Sequence, residues 1–70
     1  MSAESVNAYL NVKRMVANAV MVGHINIAIG MMNEHNLLNS GAEQFLADIK
    51  PMLPETVFTE FESQVKIIVS

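Results

Sequence analysis

MVANAVMVGHINIAIGMMN, residues 15–33, is the stretch on which the fold turns, because no position between Arg14 and Glu34 is charged. In a chain of 70 residues, a run of that length crosses a membrane, builds most of the core, or buries itself against a partner. Its internal pattern separates these cases. Glu4, Asn7, Asn11, Arg14 and Asn18 recur at helical spacing and draw one polar stripe, while Tyr9, Val12, Val16, Ala19 and Val20 fill the broad apolar side. Lys13 and Ala17 sit off that side. Beyond Asn18 the stripe would fall on Met21, Val22 and Ile25, so its phase is lost. It resumes after Gly23 on Asn26, Gly30, Asn33 and Glu34. Two helices meeting near Gly23 account for this better than one. The alternative is a single helix running to about residue 37, apolar on nearly every side in its second half, as the central helix of a dimer is.

The polar residues in the run argue against a membrane. Val16, Val20, Val22, Ile25, Ile27 and Ile29 together favour insertion by roughly 3 kcal/mol, at about 0.5 kcal/mol each. Asn18, His24 and Asn26 oppose it from near the centre, at a few kcal/mol each when unsatisfied. The expectation is therefore a buried helical hairpin, with membrane association as the alternative. Lys13 and Arg14 stand too far along the chain for a secretory signal, and no small-residue cleavage pattern follows them.

The rest of the chain reads as further short helices. Ser2 or Ser5 offers the cap of the first helix. Residues 36–41 read as a connection, with Asn39, Ser40 and Gly41 supplying turn chemistry. Ser40 and Glu43 are spaced as a capping box, which starts a helix. Phe45, Leu46, Ile49, Met52 and Leu53 are spaced for one buried face, and Pro51 ends that helix near Ile49 or Lys50. Pro54 suits the first position of a last helix whose apolar stripe is Val57, Phe58, Phe61, Val65 and Ile68, with Glu55, Thr59, Glu62 and Lys66 facing out. The reading is a single all-α domain over residues 1–70, three or four short helices, completed by dimerisation.

Composition points the same way. Half the residues, 51%, are apolar and only 16% charged, so a small surface has a large apolar content to cover. Short chains bury a smaller share of their surface than long ones and need a disulfide, a metal or a second chain. With no cysteine, disulfides and thiolate metal sites are excluded, which leaves a second copy as the expected supplement. The absence of cysteine also fits a reducing, cytoplasmic setting. Charge is lopsided: Glu4, Lys13 and Arg14 are the only charges before Glu34, whereas Glu43, Asp48, Glu55, Glu60 and Glu62 make the second half acidic. A nucleic-acid partner needs a clustered basic face that this chain, at net charge −3, does not supply.

Two motif resemblances fall on the same stretch. Ala19 and Gly23, with Ile29 and Met32 beyond, are spaced as in a helix-turn-helix, which the chain resembles; that likeness implies a transcriptional regulator. The positions it would send into the major groove are Ile25, Asn26, Ile27, Gly30 and Met31, and only Asn26 reads a base edge. Gly23, Ile25 and Ala28 are also similar to the turn of a tetratricopeptide-type hairpin, but one fragment of one repeat implies no array.

Catalytic and metal chemistry find no constellation. On one continuous helix His24 and His35 would lie roughly 16 Å apart, too far for one ion, and Glu34 and His35 point in different directions. His24 is expected near a turn carbonyl and His35 near a helix C-terminus. No cofactor is expected. The function expected is a non-enzymatic protein-binding module (a regulator, inhibitor or adaptor) working through an apolar helical surface and an acidic second half. Its interface is expected to use Val16, Val20, Ile27, Met31 and Phe61. The methionines fit this role, since thioether side chains repack against different partners, and Met31 and Met32 cannot both face one core. A small membrane-active protein and a transcriptional regulator are the alternatives.

Overall fold

The computed structural model describes residues 3–39 and 41–69, with side chains from residue 7 onward. The chain is all-helical among these residues: α1 Ala3–Met21, α2 Ile25–Glu34, α3 Ala42–Ile49, a 3-10 turn Lys50–Met52, and α4 Glu55–Val69. α1 packs against α2, α3 and α4.

The break at Gly23 is real, and its hydrogen bonds explain it. Gly23 has φ +86, a backbone state that costs L-residues energy and glycine almost nothing. In that conformation the Gly23 N–H donates to the Val20 carbonyl at 3.0 Å and the His24 N–H to the Ala19 carbonyl at 2.8 Å. Two carbonyls that a helix end leaves orphaned are thereby satisfied, and the chain turns back. A Cβ at Gly23 would meet nothing within 4 Å, so the requirement is conformational and not steric. His24 then caps α2 with its backbone, its carbonyl accepting from the Ala28 N–H at 3.0 Å.

α2 ends by the same device with a different residue. Asn36 has φ +56; its N–H donates to the Asn33 carbonyl at 3.1 Å, and that of Leu37 donates to the Met32 carbonyl at 2.8 Å. Asparagine is the commonest substitute for glycine at this position. His35 occupies the C-cap, where its backbone N–H donates to the Met31 carbonyl at 3.2 Å. The described residues 36–39 and 41 lie between α2 and α3, and there the Gly41 N–H donates to Asn39 Oδ1 at 3.3 Å before α3 begins. The capping roles expected of Ser2 and Ser40 lie outside the described residues, and Ser5 falls inside α1.

Leu53 is extended, as a residue before proline prefers, and Pro54 immediately precedes α4, accepting from the Phe58 N–H at 2.9 Å. The core gathers Val16 from α1, Met32 from α2, Phe45 and Ile49 from α3, and Phe61 and Val65 from α4, all fully buried. Ala28 is fully buried too, and its small side chain lets α2 come close to its neighbour.

Several expectations need correction. Val16, Val20 and Phe61, expected at an interface, are enclosed in the chain's own core and present no surface to a partner. Their helical phase was read correctly, but phase does not distinguish covering by α2–α4 from covering by another chain. Ala17, expected off the apolar side, is buried. Met52 is exposed because the 3-10 turn, with about three residues per turn, breaks the α-helical phase and sends Leu53 inward in its place. Ile68 is exposed because the fully covered part of α4 ends at Val65. No helix among the described residues is long and apolar enough to cross a membrane.

Candidate interaction surfaces

Two surfaces stand out, and the first is the corner where α1 turns into α2. The left-handed cap at Gly23 reverses the chain so abruptly that the side chains on either side of it cannot all reach the core. Met21 is 53% exposed, Val22 67% and Ile27 53%. A hollow lined by residues 23–27 lies beside them. Met31, one turn beyond Ile27 on α2, is half-buried against the core, whereas Met32 is fully buried. Both methionines therefore touch the one core that they were not expected to share, Met32 fully and Met31 in part. Of the five expected interface residues, the structure leaves Ile27 and Met31 within reach of a partner and brings them onto one edge of α2. The exposed face of α2 otherwise carries Asn26, Gly30 and Asn33, with no cation among them.

The second surface is a cleft between α3 and α4 of about 360 Å³. Ala42, Leu46, Phe58 and Val65 make its floor, and all four are buried. Glu43, Ala47, Glu62, Lys66 and Val69 form the walls. Lys66 Nζ lies 3.8 Å from Glu62 Oε1, an exposed pair one helical turn apart, so the positive charge at the rim is already matched. The spacing of the α4 residues was legible in the sequence. That they face α3 across an opening was not, because the opening depends on how the two helices cross, which spacing along one helix does not determine.

A polar cluster joins α1 to α3. The Tyr9 hydroxyl donates to Asp48 Oδ2 at 2.5 Å, and Gln44 Nε2 donates to Asp48 Oδ1 at 3.0 Å. The Tyr9 ring stands edge-on to Phe45 at 6.0 Å, and Lys13 Nζ lies 5.3 Å from the ring centroid. Burial, and then the hydrogen bond and negative charge of Asp48, push the Tyr9 hydroxyl up to about 12. The same bond, with those from Gln44 and the field of Lys13, holds the Asp48 carboxyl below the usual carboxylate range. The i, i+4 relation of Gln44 and Asp48 is visible in the sequence; their partner Tyr9, 39 positions from Asp48, is not. This cluster ties α1 to α3.

Elsewhere the polar side chains serve the helices. Thr59 Oγ1 donates to the Glu55 carbonyl at 2.8 Å and Ser63 Oγ to the Thr59 carbonyl at 2.9 Å, so neither hydroxyl is set up beside a base. Among the described residues no three His, Cys, Asp or Glu side chains gather as metal ligands. What the fold presents is an all-α scaffold with an uncharged apolar corner and a cleft whose walls carry Glu43 and the Glu62–Lys66 pair. No protein-family model matches the chain, and neither a curated protein nor a solved structure matches it.

Proposed function

We propose that this chain is a small, non-enzymatic, cytoplasmic protein-binding module, a regulator, inhibitor or adaptor that works as a homodimer and occupies a surface of another protein. The observation that carries the reading is the exposure of Met21, Val22 and Ile27 at a corner drawn from the uncharged stretch. Full burial of such a side chain contributes about 1.5–3 kcal/mol, and roughly half of that is still available at each position. Three residues together then supply about 3 kcal/mol, less than the 4–15 kcal/mol that association costs. The interface must therefore extend along α2 to Met31, and self-association is expected to be weak.

A copy of the same corner is a suitable partner on electrostatic grounds. With a net charge of −3, two chains repel through most approaches, and the uncharged corner is where they meet without like charges in contact. The exposed Glu43, Glu55 and Glu60 of the second half steer a basic partner toward α3 and α4. Sedimentation equilibrium over a concentration series, without detergent, tests the reading. Self-association should appear in the native chain and disappear in Ile27→Glu, an exposed position whose change leaves the helical signal intact. A chain that stays monomeric at millimolar concentration removes the dimer, and an Ile27→Glu dimer of unchanged affinity removes the corner.

A further inference from the structure

We propose that the turn at Gly23 is a hinge, at which two copies of this chain open and exchange their α1 helices, each α1 packing on the partner's α2, α3 and α4. The inference rests on the homodimer reading and states how the two copies join.

Hydrogen bonding at the turn favours opening. The helical pattern of α1 runs on through the Val22 N–H, which donates to the Asn18 carbonyl at 3.2 Å, and is crossed only where Gly23 donates to Val20 and His24 to Ala19. In one uninterrupted helix the same two donors and two acceptors exchange partners, Gly23 with Ala19 and His24 with Val20. No bond is lost. The N–H groups of Ile25, Asn26 and Ile27, which open α2, have no partner within it, and the His24 side chain makes no capping bond. Straightening offers these three donors the carbonyls of Met21, Val22 and Gly23. Glycine's low helix propensity is the local cost, and nothing lies where a Cβ would point.

The exchanged form also covers side chains that the closed chain leaves out. Met21 and Val22 are 53% and 67% exposed, yet on a continuous helix they fall in phase with Ile25, Ala28 and Met32, the face by which α2 packs on the core. Only residues 22–24 link α1 to α2, so the end of the partner's α1 comes to lie beside the start of this α2. The two hinges then meet about the two-fold axis, Met21 and Val22 of each copy against those of the other. The contacts of Val12, Val16 and Val20 with the other helices are remade with the partner, so the closed chain and the exchanged pair differ only at the hinge and in the entropy of association. Concentration decides between them.

The test uses the native chain, half of it carbon-13 labelled, with labelled and unlabelled material refolded together from urea at millimolar concentration. The Tyr9 ring stands edge-on to Phe45 at 6.0 Å, close enough for a nuclear Overhauser effect between ring protons. In the exchanged dimer that effect runs between a labelled and an unlabelled chain, which isotope filtering selects. Gly23→Ala is the second arm. Alanine is disfavoured at φ +86 and favoured over glycine in a straight helix, so the variant should self-associate about tenfold or more tightly in sedimentation equilibrium.

Inter-chain Tyr9–Phe45 effects, with a tighter Gly23→Ala dimer, are the expected result. A dimer whose Tyr9–Phe45 effects all lie within one chain overturns the exchange and leaves association through the corner standing. Gly23→Ala that associates no more tightly than the native chain also overturns it, since the turn would not then be what keeps the copies apart. A monomer throughout, in native chain and variant alike, removes the exchange and the homodimer together.

Discussion

The Tyr9 hydroxyl and the Asp48 carboxylate, 2.5 Å apart, join the first helix to the third across most of the chain's length. Because this is the single tyrosine and there is no tryptophan, the near-ultraviolet absorbance of phenolate reports on this contact alone. In the folded chain its titration midpoint should lie near 12, well above the ordinary 10. Asp48→Asn should bring it down. The sign for stability follows: an acid raised in the folded state contributes stability present below its unfolded value and lost as pH rises through the folded one. Urea midpoints should therefore fall between about pH 10 and 12 in the native chain and fall less in Tyr9→Phe. A folded protein that titrates at the ordinary tyrosine value would contradict the contact.

Asp48 works at the other end of the scale. Its carboxyl is held low in the folded chain, so its contribution is present above the unfolded carboxylate range and lost as pH falls through the folded value. Tyr9→Phe should be less stable than the native chain at neutral pH, and the two urea midpoints should converge in acid. A constant difference down to strong acid would mean that the lost hydroxyl matters for packing and not for Asp48.

The chain's glycines should respond in opposite directions. Gly23→Ala forces an L-residue to φ +86 and should cost about 1–2 kcal/mol with no clash to relieve. Gly30 lies within α2, and a Cβ there meets nothing within 4 Å, so Gly30→Ala should stabilise by about 0.4–1 kcal/mol. Thermal unfolding of the two variants should bracket the native chain. If Gly23→Ala is neutral, the turn is not the one described.

Asn36 offers a milder version of the same test. At φ +56 it tolerates a conformation that alanine does not, so Asn36→Ala should lose on the order of 1 kcal/mol and Asn36→Gly very little. Equal losses in both would show that the side chain matters and not the backbone.

Phe61 separates core from interface. Fully buried within one chain, it should cost about 3–5 kcal/mol when cut to alanine, enough to unfold much of a domain this small. Denaturation midpoints that hardly move while self-association is lost would return Phe61 to the interface.

Much of the architecture was legible from residue type and spacing. The polar stripe on α1, its lost phase and the glycine at the point of loss located both helices of the hairpin, because a left-handed cap is a local demand that glycine meets best. Pro51 and Pro54 bounded α3 and α4 for equally local reasons. The surfaces were harder to read. Val16, Val20 and Phe61 are covered by the chain's own helices, whereas Val22, the same residue type as Val16 and Val20, is 67% exposed at the corner. Hydrophobic periodicity says that a side chain wants to be covered and is silent on what covers it.

By itself, then, the sequence determined an all-helical chain, a hairpin hinged at Gly23 and an acidic second half, all consequences of short-range sterics and charge order. Only the tertiary structure decided which apolar residues α1 shares with α2, α3 and α4, and which it leaves at the corner. The same is true of the meeting of Tyr9 with Asp48 and of the opening between α3 and α4. These depend on helix crossing and rotation, which are set by many packed side chains acting together and by no local stretch of residues.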